Sequence, residues 1–425
     1  MKAKIQQITK NKFVRNVAIV ATGTAGAQAI TMAFAPFLTR IYGPETFGLL
    51  GVFVALIAIL APITALTYPV AIVLPKKDTD AKLIAKLSFF LAFIITCFFS
   101  IILYFWGESI LNLIGSEKIS PYMMLIPLAL FFATLLQITE QWLIRKKQFK
   151  TTAKIAIVQS LIINSTKTGI GWINPTAVVL ITITALGSAL HAFMMAISLK
   201  FNTNAKAEMD SDDNPKTVNQ LAIAHIDFPL YRAPQLFINA ISQNMPVLIL
   251  ASFFGPIAAG FYSLARMVLE IPAKLIGKSV GDVFYPRIND ASHNNEELDK
   301  LILKATKALA LLGLVPFGIV IVIGPWLFSF VFGEEWNSAG EYARWLSLWL
   351  YSAFINRPSF VSIPVLGFQK EIFLFEVLSL FLRFATLLVS YYLTNSALVT
   401  IASFSTLNVL LNLLLITTTI YLSKK

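Results

Sequence analysis

Twelve long apolar stretches joined by short connectors leave this 425-residue chain few ways to fold. In a bilayer core there is no water to satisfy backbone N–H and C=O groups, so runs of this length cross it as helices, which bond every such group internally. A hydrocarbon core about 30 Å thick needs roughly 20 apolar residues per helix. The sequence predicts spans near 14–38, 47–74, 87–106, 121–143, 155–172, 176–199, 225–253, 258–284, 308–332, 342–366, 372–393 and 397–422. The fold class that follows is an all-α polytopic membrane protein with twelve transmembrane helices. Hydrophobic residues make up 57% of the chain and charged ones 13%, too little polar surface for a soluble domain of this size. The first stretch is as long as the others, so it reads as a span and not as a cleaved leader.

Charge orients the array. With the N-terminus inside, the inside connectors carry Lys2, Lys4, Lys10, Lys12 and Arg15, then Lys76, Lys77, Lys82 and Lys86, then Arg145, Lys146, Lys147, Lys150 and Lys154. Further inside groups are Lys200, Lys206 and Lys216, Arg287, Lys300, Lys304 and Lys307, Lys370, and Lys424 and Lys425. The outside connectors carry only Arg40 and Lys118. This asymmetry is what the positive-inside rule gives for an even number of spans with both termini cytoplasmic. The net charge of +12 is thus a topological signal, and no nucleic-acid partner is expected.

The connectors are too short to house a catalytic domain; the longest, about 200–224, is polar. Phosphate-cradling and nucleophile-elbow patterns are absent. His191, His225 and His293 have no partner at metal-ligand spacing, so no metal, cofactor or catalytic group is expected. The lone Cys97 lies in an apolar run and is expected to pack as a small hydrophobe. Asn164-Ser165-Thr166 fits a glycosylation pattern but falls inside a span, where it has no such use.

An internal repeat divides the chain. Gly43-Pro44-Glu45-Thr46-Phe47-Gly48 opens the second span, and Gly255-Pro256-Ile257-Ala258-Ala259-Gly260 opens the eighth, half a chain length later. Pro62 and Pro272 interrupt these spans at similar depth, and Pro75 and Pro286 are expected to close them. Lys82-Leu83-Ile84-Ala85-Lys86 and Lys300-Leu301-Ile302-Leu303-Lys304 then follow. Six spans per half implies parallel repeats about an axis along the membrane normal, with a substrate site near the midplane. The predicted organisation is a first six-helix lobe over 1–200, a cytoplasmic linker over 201–224 and a second lobe over 225–425.

Charges within the hydrocarbon region are costly and mark candidate sites. Arg266 and Glu270 stand four apart on one helix and read as a local pair; Lys274, Lys278 and Asp282 continue that row to the helix end, where long side chains snorkel. Arg40 and Arg344 lie near outer span ends, as anchors do. Lys167, Arg232, Arg357 and Arg383 either line a cavity or join interhelical pairs. Arg232 sits between Pro229 and Pro234, where the helix is expected to break. Gln235, Asn239 and Gln243 then repeat every four residues, a polar stripe suited to a water-filled path. Glu140, Asp227, Glu270 and Glu376 are candidates for ion coupling, by H+ or Na+. Basic candidates outnumber acidic ones, and Arg suits phosphate oxygens through its planar fork, which favours an anionic substrate. Carboxylates facing a cavity would instead suit a drug exporter for organic cations.

Three stretches resemble a known family. Phe37-Leu38-Thr39-Arg40-Ile41-Tyr42-Gly43-Pro44-Glu45-Thr46-Phe47-Gly48 is similar to the opening motif of bacterial polysaccharide and O-antigen flippases. These form the Wzx-type branch of the multidrug/oligosaccharidyl-lipid/polysaccharide exporter superfamily. Phe228-Pro229-Leu230-Tyr231-Arg232-Ala233-Pro234-Gln235 and Ala259-Gly260-Phe261-Tyr262-Ser263-Leu264-Ala265-Arg266 extend the likeness. The resemblance implies two six-helix lobes around a central cavity, alternating access, and an inner-membrane flippase for undecaprenyl-diphosphate-linked oligosaccharide. Membrane lipids and polysaccharide polymerase machinery are the partners it implies. Arg40 and Arg232 lie in matching motifs, so the resemblance places them among cavity cations; Lys167, Arg266, Arg357 and Arg383 rest on the physical argument. Twelve spans disfavour the fourteen-span lipid II flippases. A multidrug exporter of the same fold is the nearest alternative, and a membrane glycan polymerase would need the long outer loop that this chain lacks.

Overall fold

A computed structural model describes residues 12–113, 117–201, 217–294 and 296–424. Among these, the chain is helical with no strands. The helices are α1 (Lys12–Thr64), α2 (Asp78–Leu113), α3 (Leu125–Arg145), α4 (Phe149–Ile173), α5 (Ala177–Phe201), the short α6 (Val218–Ala224) and α7 (Ala233–Phe254). The remainder are α8 (Pro256–His293), α9 (Leu298–Phe332), α10 (Asn337–Ile355), α11 (Arg357–Leu366), α12 (Gln369–Thr394) and α13 (Ala397–Leu422). Every predicted span falls on a helix. Two of them share α1, and the tenth is divided between α10 and α11.

Eight helices among the described residues are long and apolar enough to cross a bilayer. The predicted spans outside that set are the fifth (α4), the eighth (α8) and the divided tenth, which are rich in the polar candidates or broken before Pro358. Where apolar side chains do not meet protein, they meet lipid. Along α2, Phe90, Phe93, Ile94, Phe98 and Ile101 are exposed, and so large an apolar face requires hydrocarbon around it. Cys97 lies exposed on the same helix. This corrects the expectation of a packed thiol: within a span, an outward-facing Cys loses nothing by touching lipid.

The glycine-proline repeats fold alike. Gly43 has φ 67° and ψ 171° inside α1, and Gly255 has φ 82° and ψ 173° at the start of α8. This region is open essentially to glycine alone, and each Pro then supplies a first helical residue whose missing N–H costs nothing. The proline parallel ends there. The helical part of the second span stops at Thr64, short of the predicted 74, because Leu66 and Thr67 take positive φ and a 3-10 turn covers Tyr68–Val73. In α8 the helix runs through Pro272 and past Pro286 to His293.

The chain forms two compact units, one of Met1–Tyr42 and Leu49–Leu248, the other of Gly43–Gly48 and Ile249–Lys425. The centre of the expected linker, Asp210 to Pro215, lies outside the described residues. In the first unit α3 packs on α5, with α2 against α3 and α4 against α5. Thr217 caps α6 through a capping box with Gln220. Leu221 of α6 packs with Ala71, Ile72, Ala81 and Ile84, and Tyr68 Oη donates to the Ala222 carbonyl at 3.0 Å. Thr67 Oγ1 donates to the Phe228 carbonyl at 3.2 Å, which fixes the segment leading to Arg232.

In the second unit α10 packs against α9, α8 and α13. Fully buried Trp336 meets the rings of Phe47 and Phe261 edge-on, at 5.3 and 6.0 Å between centroids. Gly48 and Gly260 face each other's glycine-proline turn. A Cβ on Gly48 would fall 1.7 Å from the Pro256 carbonyl oxygen, and one on Gly260 would fall 2.0 Å from that of Pro44. The repeat therefore crosses its own counterpart with backbone against backbone, which only small residues permit.

Candidate functional site

In the first unit the polar groups of α4 set the pattern. Thr152, Ser160, Asn164 and Thr168 recur at multiples of four residues on one helix face. Buried hydroxyls and amides need partners, and they find them within their own helices and, through Ser160, across the interface with α1. Ser160 Oγ donates to the Ala27 carbonyl at 2.9 Å, Asn164 Nδ2 to the Ser160 carbonyl at 2.7 Å, and Thr31 Oγ1 to the Ala27 carbonyl at 3.1 Å. Beside this seam lies a polar cavity of about 300 Å³, lined among others by Gln28, Thr31, Glu140, Gln159, Ser160 and His191. Of the residues singled out from sequence, the cavity takes in Glu140 alone. Its neighbours Gln28, Gln159 and His191 carried no motif; the four-residue polar spacing along α4 was the signal available.

Lys167 sits further along α4, half-buried, and its backbone carbonyl accepts from Tyr42 Oη at 2.8 Å. No hydrogen bond or ion pair reaches its ammonium among the described residues. The expected break near Arg232 is a π-helical turn over Phe228–Arg232 leading into α7. Arg232 is exposed, and its guanidinium lies 5.7 Å from the centroid of the Phe228 ring, a cation–π contact. Gln235 and Asn239 are exposed beyond it and Gln243 is half-buried. Asp227, at the start of the π turn, and Arg40, near the end of the first arm of α1, are exposed too.

The second unit treats its charges differently. Arg266 Nε and Glu270 Oε1 stand 2.5 Å apart, with side chains only 16% and 18% exposed. Arg383 Nε donates to Asn408 Oδ1 at 2.8 Å, and its Nη1 lies 3.9 Å from Glu376. The Arg383 side chain is 12% exposed and that of Glu376 37%. Arg357 is exposed, donates Nε to the Gly277 carbonyl at 3.4 Å and lies 6.0 Å from the Phe360 ring. The expected anchor Arg344 bonds the Val322 carbonyl at 2.8 Å. The side chains of Lys274, Lys278 and Asp282 lie outside the described residues. A polar seam not foreseen from sequence joins α10 to α13: Asn356 Nδ2 donates to Asn412 Oδ1 at 3.0 Å, and Asn412 Nδ2 to Ser352 Oγ at 2.9 Å.

Among the described residues, then, Arg266 and Arg383 have acidic neighbours, whereas Lys167, Arg232 and Arg357 have none. A further ionic cluster lies outside the spans. Arg145 Nε donates to Asp78 Oδ1 at 2.9 Å, while its Nη1 bonds the carbonyls of Pro75 at 2.6 Å and Ile72 at 3.2 Å. Lys146 also bonds Asp78. The Lys146 ammonium, with Arg145 beside it, holds the Asp78 carboxyl below the usual carboxylate range. The guanidinium thereby closes the carbonyl end of the 3-10 turn that precedes α2.

Residues 37–341 match the model of a family described as polysaccharide biosynthesis protein. The chain belongs to that family. The succinoglycan biosynthesis transport protein ExoT of Rhizobium meliloti (strain 1021) is 22% identical over 324 residues, which cover 75% of this chain and 61% of ExoT. The teichuronic acid biosynthesis protein TuaB of Bacillus subtilis (strain 168) is 28% identical over 113 residues, 26% of this chain and 23% of TuaB. The chain thus spans less than two thirds of these relatives. Its fold is shared with a lipid II flippase, MurJ in an inward closed conformation, at a TM-score of 0.74 and 14% identity over 94% of this chain and 87% of MurJ. It is shared as well with an inward-facing multidrug resistance MATE family transporter of the MOP superfamily, at 0.63 and 11% identity over 94% and 93%. This member of the polysaccharide biosynthesis family is accordingly a multi-pass membrane protein that shares the fold of these two structures.

Proposed function

We propose that the protein is a flippase that carries an undecaprenyl-diphosphate-linked oligosaccharide across the bacterial inner membrane, for assembly of an O-antigen, capsule or exopolysaccharide. The observation that carries this reading is the set of intramembrane cations without an acidic neighbour among the described residues, in a chain of the polysaccharide biosynthesis family. A cation in hydrocarbon with no counter-ion is expensive, so Lys167, Arg232 and Arg357 need water or an anionic ligand, and a diphosphate headgroup supplies two phosphates. Arg232 offers a planar fork to them and Lys167 a point charge. The exposed amides of Gln235 and Asn239 suit sugar hydroxyls, while the polyprenyl chain remains in lipid. Arg40 is a candidate through its motif alone, since it has an interaction within the protein; Arg266 and Arg383 serve structure first.

In this reading the fold's two halves work by alternating access, presenting the headgroup-binding groups to one side and then to the other. The inward- and outward-facing structures of MATE transporters with this fold support such a cycle. Both termini lie in the cytoplasm, and the product passes to polysaccharide polymerase machinery. The test is transport in proteoliposomes holding a polyprenyl-diphosphate oligosaccharide, with leaflet accessibility of the sugar followed over time. Protein-dependent movement is the expected result. Absence of movement together with uptake of cationic dyes would transfer the protein to the multidrug-exporter reading and leave its arginines structural.

A further inference from the structure

Where the helical part of the second span ends, two consecutive residues take the left-handed conformation without being glycine: Leu66 at φ 48° and Thr67 at φ 58°. For a bulky or β-branched side chain that region is an outlier, and such strain persists only where the surroundings fix it. Here they fix it from several sides. Within the turn, Leu66 N–H donates to the Ile63 carbonyl at 3.1 Å and Tyr68 N–H to that of Ala65 at 3.0 Å. Just after it, fully buried Ala71 and Ile72 pack with Ala81, Ile84 and Leu221. The Arg145 guanidinium donates to the carbonyls of Ile72, Pro75 and Lys76. Gly or Asn would sit at position 67 with less strain, so the hydroxyl held there needs a reason.

The reason lies in what the turn touches. Thr67 Oγ1 donates to the Phe228 carbonyl at 3.2 Å, and Tyr68 Oη to the Ala222 carbonyl at 3.0 Å. Both acceptors belong to the segment that leads into α7. The Phe228 carbonyl also accepts the Ala233 N–H across the π turn, and a carbonyl has lone pairs for both. Pro234 lacks the N–H that the Leu230 carbonyl would meet in an α-helix, so the regular ladder is interrupted here. An interrupted ladder leaves the orientation of the turn to outside contacts, and Thr67 supplies one. The Phe228 ring packs on the cluster of Ala71, Ile72 and Leu221 and lies 5.7 Å from the exposed Arg232 guanidinium. From this geometry we infer that Thr67 is a positioning residue for Arg232. Its hydroxyl, presented by the left-handed turn, holds the π turn so that the Phe228 ring backs the guanidinium and leaves its fork open to a phosphate-bearing ligand. The step from that position to transport rests on the flippase reading.

The position is testable without transport. With 15N-labelled arginine in nanodiscs, the Arg232 Nε–H resonance is identified by its loss in Arg232→Lys. The Phe228 ring displaces it, and Phe228→Leu marks where it falls without the ring. In Thr67→Val, which keeps the side-chain shape but not the hydroxyl, the resonance is expected to move toward the Phe228→Leu position. In Thr67→Ser, which keeps the hydroxyl, it is expected to return. An unmoved resonance in Thr67→Val overturns the proposal. Should Thr67→Val not fold, Thr67→Gly takes its place: glycine adopts positive φ freely, so this variant is expected to fold and still to shift the resonance. Affinity for undecaprenyl diphosphate, titrated into the same nanodiscs, is expected to fall about tenfold in Thr67→Val, the size of one hydrogen bond, and to recover in Thr67→Ser. The maximal flipping rate should change less than the affinity. Unchanged affinity beside a moved resonance also overturns the proposal, because Arg232 would then serve its ligand wherever it lay. If the unaltered protein neither binds nor flips a polyprenyl diphosphate, the flippase reading falls, and the resonance alone decides whether Thr67 positions Arg232.

Discussion

The two compact units bring the same kind of residue into the membrane and treat it in opposite ways. The second unit, Arg357 apart, neutralises: Arg266 is closed against Glu270 at 2.5 Å, and Arg383 is bonded to Asn408 with Glu376 at 3.9 Å. The first leaves Lys167 and Arg232 without an acidic neighbour among the described residues and places Glu140 in a polar cavity with His191. A charge already matched within the protein has little left to offer a ligand. A charge without a match must be matched by something that comes and goes. The difference assigns ligand chemistry mainly to the first unit and internal bracing mainly to the second.

That contrast breaks most directly by exchanging what is removed. Replacing Lys167 and Arg232 together by Ala is expected to lower flipping at least 100-fold, since charge-assisted bonds contribute about 1.5–3 kcal/mol each and every 1.4 kcal/mol is tenfold. Protein yield and thermal stability should change little. Replacing Arg266 and Glu270 together by Leu is expected to leave flipping within a few-fold of the unaltered protein. If the second pair matters and the first does not, in the same leaflet assay, the division of labour is reversed.

Stability measurements sharpen the point. Arg266→Ala alone strands Glu270 in a largely buried position, and loss of one partner from such a pair costs about 3–5 kcal/mol, whereas conversion of both to apolar residues is near neutral. Thermal unfolding in detergent should therefore show a large drop for the single variant and a small one for the double. Equal drops would mean that Arg266 has a role beyond its pairing. Arg383→Met should cost less, about 1–3 kcal/mol for the unsatisfied Asn408 oxygen, and Asn408→Leu in that background should recover part of it. Absence of any recovery would show that Glu376 is the partner that counts.

Much of this architecture can be read from the chain before any coordinate. Twelve apolar runs give the helices because a bilayer offers few alternatives, and Arg266 with Glu270 gives its pair because i, i+4 neighbours meet on any helix. The glycine-proline repeats were legible as motifs, and their like backbone angles follow from glycine's freedom at positive φ. Their mutual crossing was not legible, because no local pattern says which helices touch. The same limit hid the cavity: Gln28, Glu140, Gln159 and His191 come from four helices and share no spacing. Cys97 misled for a related reason, since an apolar run in a membrane protein does not reveal whether a side chain faces protein or lipid. Pro286 failed as a stop signal because α8 carries on through it to His293.

The smallest expected effect tests whether charge pairing in the first unit is confined to its water-facing parts. Asp78 is 45% exposed, so its pairing with Arg145 and Lys146 is screened and is worth about 0.5–1 kcal/mol. The sign follows from its depressed folded pKa. The contribution is complete above the unfolded value near pH 4 and is lost as pH falls through the lower folded value. Thermal stability of the unaltered protein should thus exceed that of Asp78→Asn by a constant margin from neutral pH down to about pH 5, with the margin closing as the solution becomes more acid. Arg145→Ala should cost more than Asp78→Asn at neutral pH, because it also strips the carbonyls of Ile72 and Pro75 of their donor. A margin that widened on acidification would mean that the acid group destabilises the folded protein, and that the Arg145 cluster is held by its carbonyl bonds alone.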